Sequence, residues 1–175
     1  DRDCFTIYHS KEKTMSERYA ANIVIGGSLP KIRLPELLEV VQETDVSIEW
    51  GDAPLNPQSE QELLTALDEG QLWFCDDQAL NGEFPELETA CRELGLSYTR
   101  QSEGHCQDAE VVDWRPDMEE PLVRVGSNAG DATFVPTEEV RKALTHLESN
   151  HIGRARELLR KLCPDIPELP PFKIV

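Results

Sequence analysis

Residues 22–28 read NIVIGGS, and this stretch decides how the predicted fold begins. Its short apolar run at 22–25 is typical of a buried strand. The two glycines and the serine that follow favour a turn at 26–28. The sequence therefore predicts that the domain opens with a buried strand, which then turns towards a helix.

Strand and helix patterns alternate after this opening. Apolar residues at helical spacing predict three helices, over 34–41, 59–70 and 87–95. The second of these begins with an S-x-x-E capping box at 59–62. Strands are predicted between and after the helices, over 46–50, 72–75 and 96–100. Strand–helix units in succession favour an α/β fold, three-layer-like, with a mainly parallel sheet in the order βαβαβαβ.

The pattern changes in the second half of the chain. Residues 109–114 and 122–125 are predicted as strands that pair antiparallel at the sheet edge, because the stretch between them is rich in turn residues. Two C-terminal helices follow, the first capped by Thr137 and the second rich in arginine. The prolines after residue 163 predict an extended tail.

These patterns divide the chain into four predicted parts. Residues 15–135 form an acidic α/β domain, residues 136–163 a helical pair packed on it, and residues 164–175 a Pro-rich tail. Residues 1–14 show no clear period and are interpreted as a tag, a leader or an upstream extension. The alternative interpretation is an ordered N-terminal strand over residues 4–8.

The charge of the chain is concentrated in one contiguous segment. Residues 36–120, called the acidic segment below, hold 23 acidic residues and three basic ones, a net charge of −20. The whole chain carries −17, so the remaining residues are slightly basic. Such a field attracts basic proteins and repels nucleic acid and anionic membranes. Because strands and capped helices run through the segment, we expect a rigid negative surface rather than a disordered tail.

No catalytic signature is present, so we expect a non-catalytic acidic module that binds a basic protein partner. The narrower hypothesis is a nucleic-acid mimic of the mobile-element counter-defence type, which would inhibit a basic DNA- or RNA-binding protein, since carboxylates can compete with phosphates for Lys and Arg groups. The competing interpretation is that the acids only confer solubility. The predicted partner-binding residues are acids of the second and third helices and the turns beside them: Glu60, Glu62, Asp68, Glu69, Glu83, Glu86, Glu88 and Glu93.

The alternative function is a small Mg²⁺-dependent enzyme for phosphoryl transfer or phosphodiester hydrolysis. Asp52 follows the second predicted strand, and Asp76 and Asp77 follow the third. In a parallel sheet the carboxyl ends of neighbouring strands meet, which would bring these acids together. A few carboxylates with water suit Mg²⁺. The lead hypothesis requires no cofactor.

Other features give weaker indications. The glycine turn near Lys31 and Arg33 matches no phosphate-loop motif. A zinc site from Cys75, Cys91, His105 and Cys106 lacks the tight ligand pairs of structural zinc sites. The three tryptophans, Trp50 among them, are interpreted as core aromatics.

The expected compartment and partners follow from composition. Five cysteines without a CxxC pair favour a reducing cytoplasm. No apolar run approaches the roughly 20 residues that span a bilayer, so no membrane association is expected. Pairing of the acidic helices with the basic stretch 154–161 of a second copy is a further hypothesis, which makes a homo-oligomer one of the expected assemblies.

Overall fold

The computed structural model describes residues 17–103, 108–127 and 133–175. The hypotheses on residues 1–14, including the strand over 4–8, lie outside these residues, as do His105 and Cys106 of the zinc hypothesis. The helices are α1 Leu34–Glu43, α2 Glu60–Leu63, α3 Pro85–Leu94, α4 Thr137–Glu148 and α5 Ile152–Leu162. The strands are β1 Arg18–Leu29, β2 Leu67–Asp68, β3 Gln71–Leu80, β4 Ser97–Glu103, β5 Asp108–Trp114, β6 Leu122–Ser127, β7 Thr133–Phe134 and β8 Phe172–Ile174.

The strands form one sheet in the order β2-β3-β1-β4-β5-β6-β7. Every pairing along this path is antiparallel. The short strand β8 adds to β1 in parallel, with Gly27 opposite Phe172. The predicted βαβαβαβ order with a mainly parallel sheet is therefore wrong, although β5 and β6 do pair antiparallel and two C-terminal helices are present.

The error arises at the predicted second strand, residues 46–50. These residues make a single bridge, Ser47 to Cys75, on the outer side of β3. The backbone around them adopts positive φ, 55° at Asp45 and 80° at Gly51, which confines the extended stretch to a few residues. The chain then passes through a one-turn helix, α2, and begins β3 beside the end of β1. Strand β3 therefore runs antiparallel to β1.

The stretch at residues 22–28 lies entirely within β1, so the predicted turn at 26–28 is also wrong. A Cβ atom placed on Gly26 would lie 1.9 Å from the carbonyl oxygen of Pro170. The C-terminal tail can therefore cross β1 only because residue 26 has no side chain. The tail is fixed there by hydrogen bonds from Phe172 N to Gly70 O (2.8 Å) and from Val175 N to Leu29 O (2.9 Å).

The core lies between one face of the sheet and the helices α1 and α3. Alternate residues of β1, such as Ile23 and Ile25, are fully buried in a cluster with Leu37 of α1 and Leu87 of α3. Each fully buried leucine or isoleucine stabilises the fold by about 1.5–3 kcal/mol. The guanidinium of Arg33 joins the two helices by donating to the carbonyl oxygen of Glu93 (2.9 Å). The apolar spacing predicted for both helices is confirmed.

The C-terminal helices α4 and α5 form a helical hairpin that packs chiefly on itself. Within the two helices only Ala143 and Ala155 are buried. Large apolar side chains of the hairpin remain exposed, namely Leu144, Leu147, Ile152 and Leu159. Across the described part of the chain, the helices are all too short or too polar to cross a bilayer.

Candidate functional site

Arg100, one of the three basic residues of the acidic segment, is buried beneath α3, and only 3% of it is exposed. Its Nε lies 2.9 Å from Glu88 Oε1, an ion pair whose angle does not form a hydrogen bond. Its Nη2 donates to Glu110 Oε1 (2.7 Å), and its Nη1 donates to the carbonyl oxygen of Gly82 (2.5 Å). A buried cation requires such partners, so the charge of Arg100 is neutralised inside the fold.

Arg115 is also buried and connects the sheet to the C-terminal tail. Its guanidinium donates to the carbonyl oxygens of Tyr98 (2.8 Å) and Pro167 (3.0 Å). Burial lowers the pKa of Arg115 from its ordinary value, and the nearby Asp113 opposes that effect. The Asp113 carboxylate is itself buried, and it accepts hydrogen bonds from Thr99 (2.8 Å) and Arg124 (2.5 Å).

The third basic residue, Arg92, is exposed on α3. It donates to Tyr98 Oη (3.3 Å) and to Thr89 Oγ1 (3.0 Å). Burial raises the pKa of Tyr98, with the charge of Glu88 as the next cause, so its hydroxyl stays protonated as a hydrogen-bond donor. Of the three cations in the acidic segment, two are thus buried, and the surface of the segment is more uniformly negative than its composition indicates.

The eight predicted partner-binding acids divide by environment. Asp68, Glu69, Glu86 and Glu93 are exposed, as is Glu62, whereas Glu60, Glu83 and Glu88 are half-buried. Half of the predicted capping box forms: the backbone N–H of Glu62 donates to Ser59 Oγ (3.3 Å), but the Glu62 carboxylate accepts from Gln58 N (2.7 Å) and not from Ser59 N. Glu60 pairs with Lys31 (3.0 Å). Glu88 neutralises Arg100, so its role in the fold is structural.

Two of the three predicted metal ligands accept hydrogen bonds from backbone N–H groups. Asp76 Oδ1 accepts from Gln78 N (2.8 Å), and Asp77 Oδ2 accepts from Gly51 N (2.7 Å), while Asp52 is exposed. Within residues 17–103, 108–127 and 133–175, no three His, Cys, Asp or Glu side chains are grouped to hold a metal ion. The argument for a Mg²⁺ site required a parallel sheet, and the antiparallel sheet removes it.

The same three aspartates influence a neighbouring thiol. Burial, followed in order by the charges of Asp77, Asp76 and Asp52, raises the pKa of Cys75 to about 11. The Cys75 thiol is therefore protonated near neutral pH and is a poor nucleophile.

An aromatic and acidic cleft lies on the face of the sheet that α1 and α3 do not cover. At its centre Trp50 is 48% exposed, and its ring meets that of Trp73 edge to face at 5.7 Å between centroids and 80° between planes. The sequence interpretation of Trp50 as a core residue is therefore wrong. The signal that it lies at the surface is the Gly51–Asp52 turn directly after it.

Two adjoining hollows share Trp50, and together they are called the Trp50 cleft. The first, of about 410 Å³, lies over the sheet and is lined by Ala20, Asn22, Trp50, Asp77, Gln101 and Glu103. The second, of about 530 Å³, is lined by Ile48, Glu49, Trp50, Thr65, Ala66, Leu67, Asp68 and Trp73. Among the described residues that line either hollow there are four carboxylates and no lysine, arginine or histidine.

Strand register builds this cleft from residues far apart in sequence. Asn22 lies opposite Cys75 on one side and Gln101 on the other, so the three strands place Asn22 and Gln101 side by side on one face. The Ser47–Cys75 bridge holds the preceding chain against β3, and the Gly51–Asp77 hydrogen bond fixes the turn after Trp50.

Comparison of the chain with family models, with curated proteins and with solved structures found no match. The evidence on function is therefore the charge, burial and geometry of this chain.

Proposed function

We propose that the protein is a protein-binding module that uses its folded acidic segment to bind a basic protein partner. One observation carries the proposal: the segment holds a net charge of −20, yet two of its three cations are buried and paired within the fold. The carboxylates at the surface of the segment thus have few local cations to neutralise them. Charges fixed on strands and helices also lose little freedom when a partner binds, which favours association.

The expected role of this charge is to speed and orient the encounter with the partner. Surface carboxylates act over about 8 Å at physiological ionic strength, and complementary fields raise association rates more than they slow dissociation. Mimicry of a nucleic acid remains a narrower prediction, which would require the carboxylates to follow the spacing of duplex phosphates.

The test is the affinity for an arginine-rich peptide, measured by fluorescence anisotropy at low and at high salt, with a glutamate-rich peptide as the negative control. We expect binding of the basic peptide alone, weakened about tenfold or more over a fourfold rise in salt if the peptide neutralises several carboxylates. Affinity that is absent, or flat across this range, would contradict the proposal.

A pair of matched variants separates the acidic segment from overall charge. Glu69→Gln/Glu86→Gln/Glu93→Gln removes three exposed carboxylates within the segment. Glu148→Gln/Asp165→Asn/Glu168→Gln removes three exposed carboxylates outside it, with the same change in net charge. We expect the first variant to lose more affinity and association rate than the second. Equal losses would indicate that only the net charge of the molecule matters.

Sedimentation at the same two salt concentrations distinguishes a separate basic partner from a second copy of the chain. The basic side chains of α5 are exposed and include Arg154, Arg156, Arg160 and Lys161. A monomer at both salt concentrations is expected if the partner is a different protein. Reversible dimerisation at low salt would instead assign the acidic segment to self-association.

A further inference from the structure

The Trp50 cleft combines features that a general negative surface does not require. An exposed tryptophan lies at its centre, and the two hollows beside it are concave. Among the described residues of the hollow over the sheet, four side chains present acceptor oxygens beside the Trp50 ring: the carboxylates Asp77 and Glu103, and the amides Asn22 and Gln101, which also carry N–H donors. On a surface that only confers solubility, we would expect the carboxylates to be spread over convex regions, without a large aromatic side chain among them.

We infer that the Trp50 cleft is the site that recognises an arginine side chain of the basic partner. This inference rests on the proposed function and names the side chain of the partner that the binding site would recognise. The guanidinium lies against the ring of Trp50, and its N–H groups donate to the carboxylates of Asp77 and Glu103. The rest of the basic segment follows the second hollow, past Glu49 and Asp68.

The chemistry favours arginine over lysine. A guanidinium is planar, stacks on aromatic rings and presents five donors with no acceptor, which suits a cleft that combines an exposed aromatic ring with carboxylate and amide oxygens. Lysine offers the same charge as a compact ammonium, which is more strongly hydrated and cannot make a bidentate contact. A neutral isostere, citrulline, keeps the shape of the side chain but lacks the charge that the ring and the carboxylates attract.

The edge-to-face contact with Trp73 prepares Trp50 for this role. Such aromatic pairs stabilise their geometry by about 0.5–1.5 kcal/mol beyond the area they bury. The Asp77 carboxylate accepts from Gly51 N, directly after Trp50, so the ring and one of its flanking carboxylates are held together before any partner arrives. A site organised in advance loses less freedom on binding.

The experiment measures the affinity of the full chain for short Gly-Ser peptides that carry a central arginine cluster, or lysine or citrulline in its place. Titration calorimetry gives the affinity, and the fluorescence emission of tryptophan reports contact with the ring. We expect the arginine peptide to bind most tightly and the citrulline peptide not to bind. Trp50→Ala should weaken arginine-peptide binding by about fivefold to thirtyfold, the loss of one desolvated cation–π contact.

The chain offers a matched control for the aromatic substitution. Phe134 of β7 is 49% exposed, almost the same as Trp50, but β7 lies at the opposite end of the sheet. Phe134→Ala should therefore leave the affinity unchanged, and Trp50→Phe should keep an intermediate affinity because it retains an aromatic ring. Trp50→Phe also keeps the inference testable if Trp50→Ala does not fold.

A second pair of variants tests the carboxylates. Glu103→Gln removes a charge from the cleft, and Glu86→Gln removes an exposed charge from α3. We expect the first to lower the affinity for the arginine peptide about twofold to fivefold and the second to have a smaller effect.

The outcomes separate the inference from the proposed function. If the arginine and lysine peptides bind equally, and Trp50→Ala matches Phe134→Ala while binding still weakens with salt, the cleft inference fails and the acidic module stands. If free arginine binds as tightly as the peptide, the site takes a small molecule and the inference of a protein segment is overturned. If no basic peptide binds the wild-type chain, the proposed function fails as well.

Discussion

Helices α3 and α5 have nearly the same length, 10 and 11 residues, and both show apolar residues at helical spacing. In α3 the whole stripe is buried, and it consists of Leu87, Ala90, Cys91 and Leu94. In α5 only Ala155 is buried, and Leu159 remains 40% exposed. The difference shows that periodicity defines an apolar face, whereas burial requires a second surface. The sheet provides that surface for α3, whereas chiefly the neighbouring helix α4 provides it for α5.

The arginines near the two helices show the same contrast. Arg100 lies beneath α3 and is paired with Glu88 and Glu110, whereas Arg160 of α5 is exposed. One helix therefore covers a buried ion-pair network, and the other presents its charges to solvent. If this comparison is correct, equal substitutions in the two regions should have unequal effects on stability.

The largest difference is expected for the arginines. Arg100→Ala should reduce the free energy of unfolding by about 3–5 kcal/mol, because it leaves the carboxylate of Glu88 without a cation in a half-buried site. Arg160→Ala should change it by no more than about 0.5 kcal/mol, as is usual for exposed positions. Urea unfolding followed by circular dichroism measures both. If the double variant Arg100→Met/Glu88→Gln recovers part of the lost stability, the loss is due to the carboxylate left without a cation. Equal losses in Arg100→Ala and Arg160→Ala would contradict the predicted difference between the two regions.

The next difference concerns leucines. Leu87→Ala in α3 should cost about 2–5 kcal/mol, since it removes a fully buried side chain and leaves a cavity. Leu159→Ala in α5 should cost less than about 1 kcal/mol, because much of that side chain already contacts water. The same unfolding assay applies. A large cost at Leu159 would mean that the apolar face of the hairpin is covered in solution.

Replacing glycine by alanine in the two regions should change the free energy of unfolding by smaller amounts and with opposite signs. Gly26→Ala should destabilise by about 1–3 kcal/mol, because the new Cβ meets the carbonyl oxygen of Pro170 and the tail must shift. Gly153→Ala in α5 has open space around it and should stabilise by up to about 1 kcal/mol. Hydrogen exchange at Phe172 and Val175 adds a local measurement, and unchanged protection of these amides in Gly26→Ala would contradict the predicted tail contact.

The smallest expected difference is in the rate at which the cysteines of the two regions react with a thiol reagent. Cys163, at the end of α5, is exposed, whereas Cys75 and Cys91 are buried in the sheet region. At neutral pH a thiol reagent should label Cys163 before Cys75 and Cys91, as mapped by mass spectrometry of peptides. Labelling of Cys91 at a similar rate would show that α3 opens often enough to expose its buried face.

The raised pKa of Cys75 also fixes the sign of a pH effect. The folded state holds the thiol proton up to about pH 11, above the ordinary value of 9.0. The stability contributed by this group is therefore complete below pH 9.0 and is lost as the pH rises through 11. Unfolding measured across this range should show a smaller loss in Cys75→Ala than in the wild type.

Part of the proposed binding site could be predicted from sequence. The concentration of acids in residues 36–120 is evident from composition, and the cap that Ser59 Oγ provides for Glu62 N follows from the S-x-x-E spacing. The Trp50 cleft could not be predicted, because the register of β3, β1 and β4 brings Asp77 and Glu103 to one face, and the Ser47–Cys75 bridge and the Gly51–Asp77 hydrogen bond bring Trp50 beside them. Hydrophobic periodicity contains no information on strand order.

The sequence by itself determined the helical faces of α1 and α3, the apolar strands and the charge asymmetry, since these depend on local spacing and composition. The tertiary structure alone decided the direction of the strands, the burial of Arg100 and Arg115, and the exposure of Trp50. The physical reason is that an extended run such as NIVIGGS can pair in either direction, and in this fold β1 pairs antiparallel with β3 and β4 and in parallel with β8. The path of the chain between strands selects the pairing. In this protein the chain passes from β1 through the bridge at Ser47 and the short helix α2, so that β3 runs antiparallel to β1.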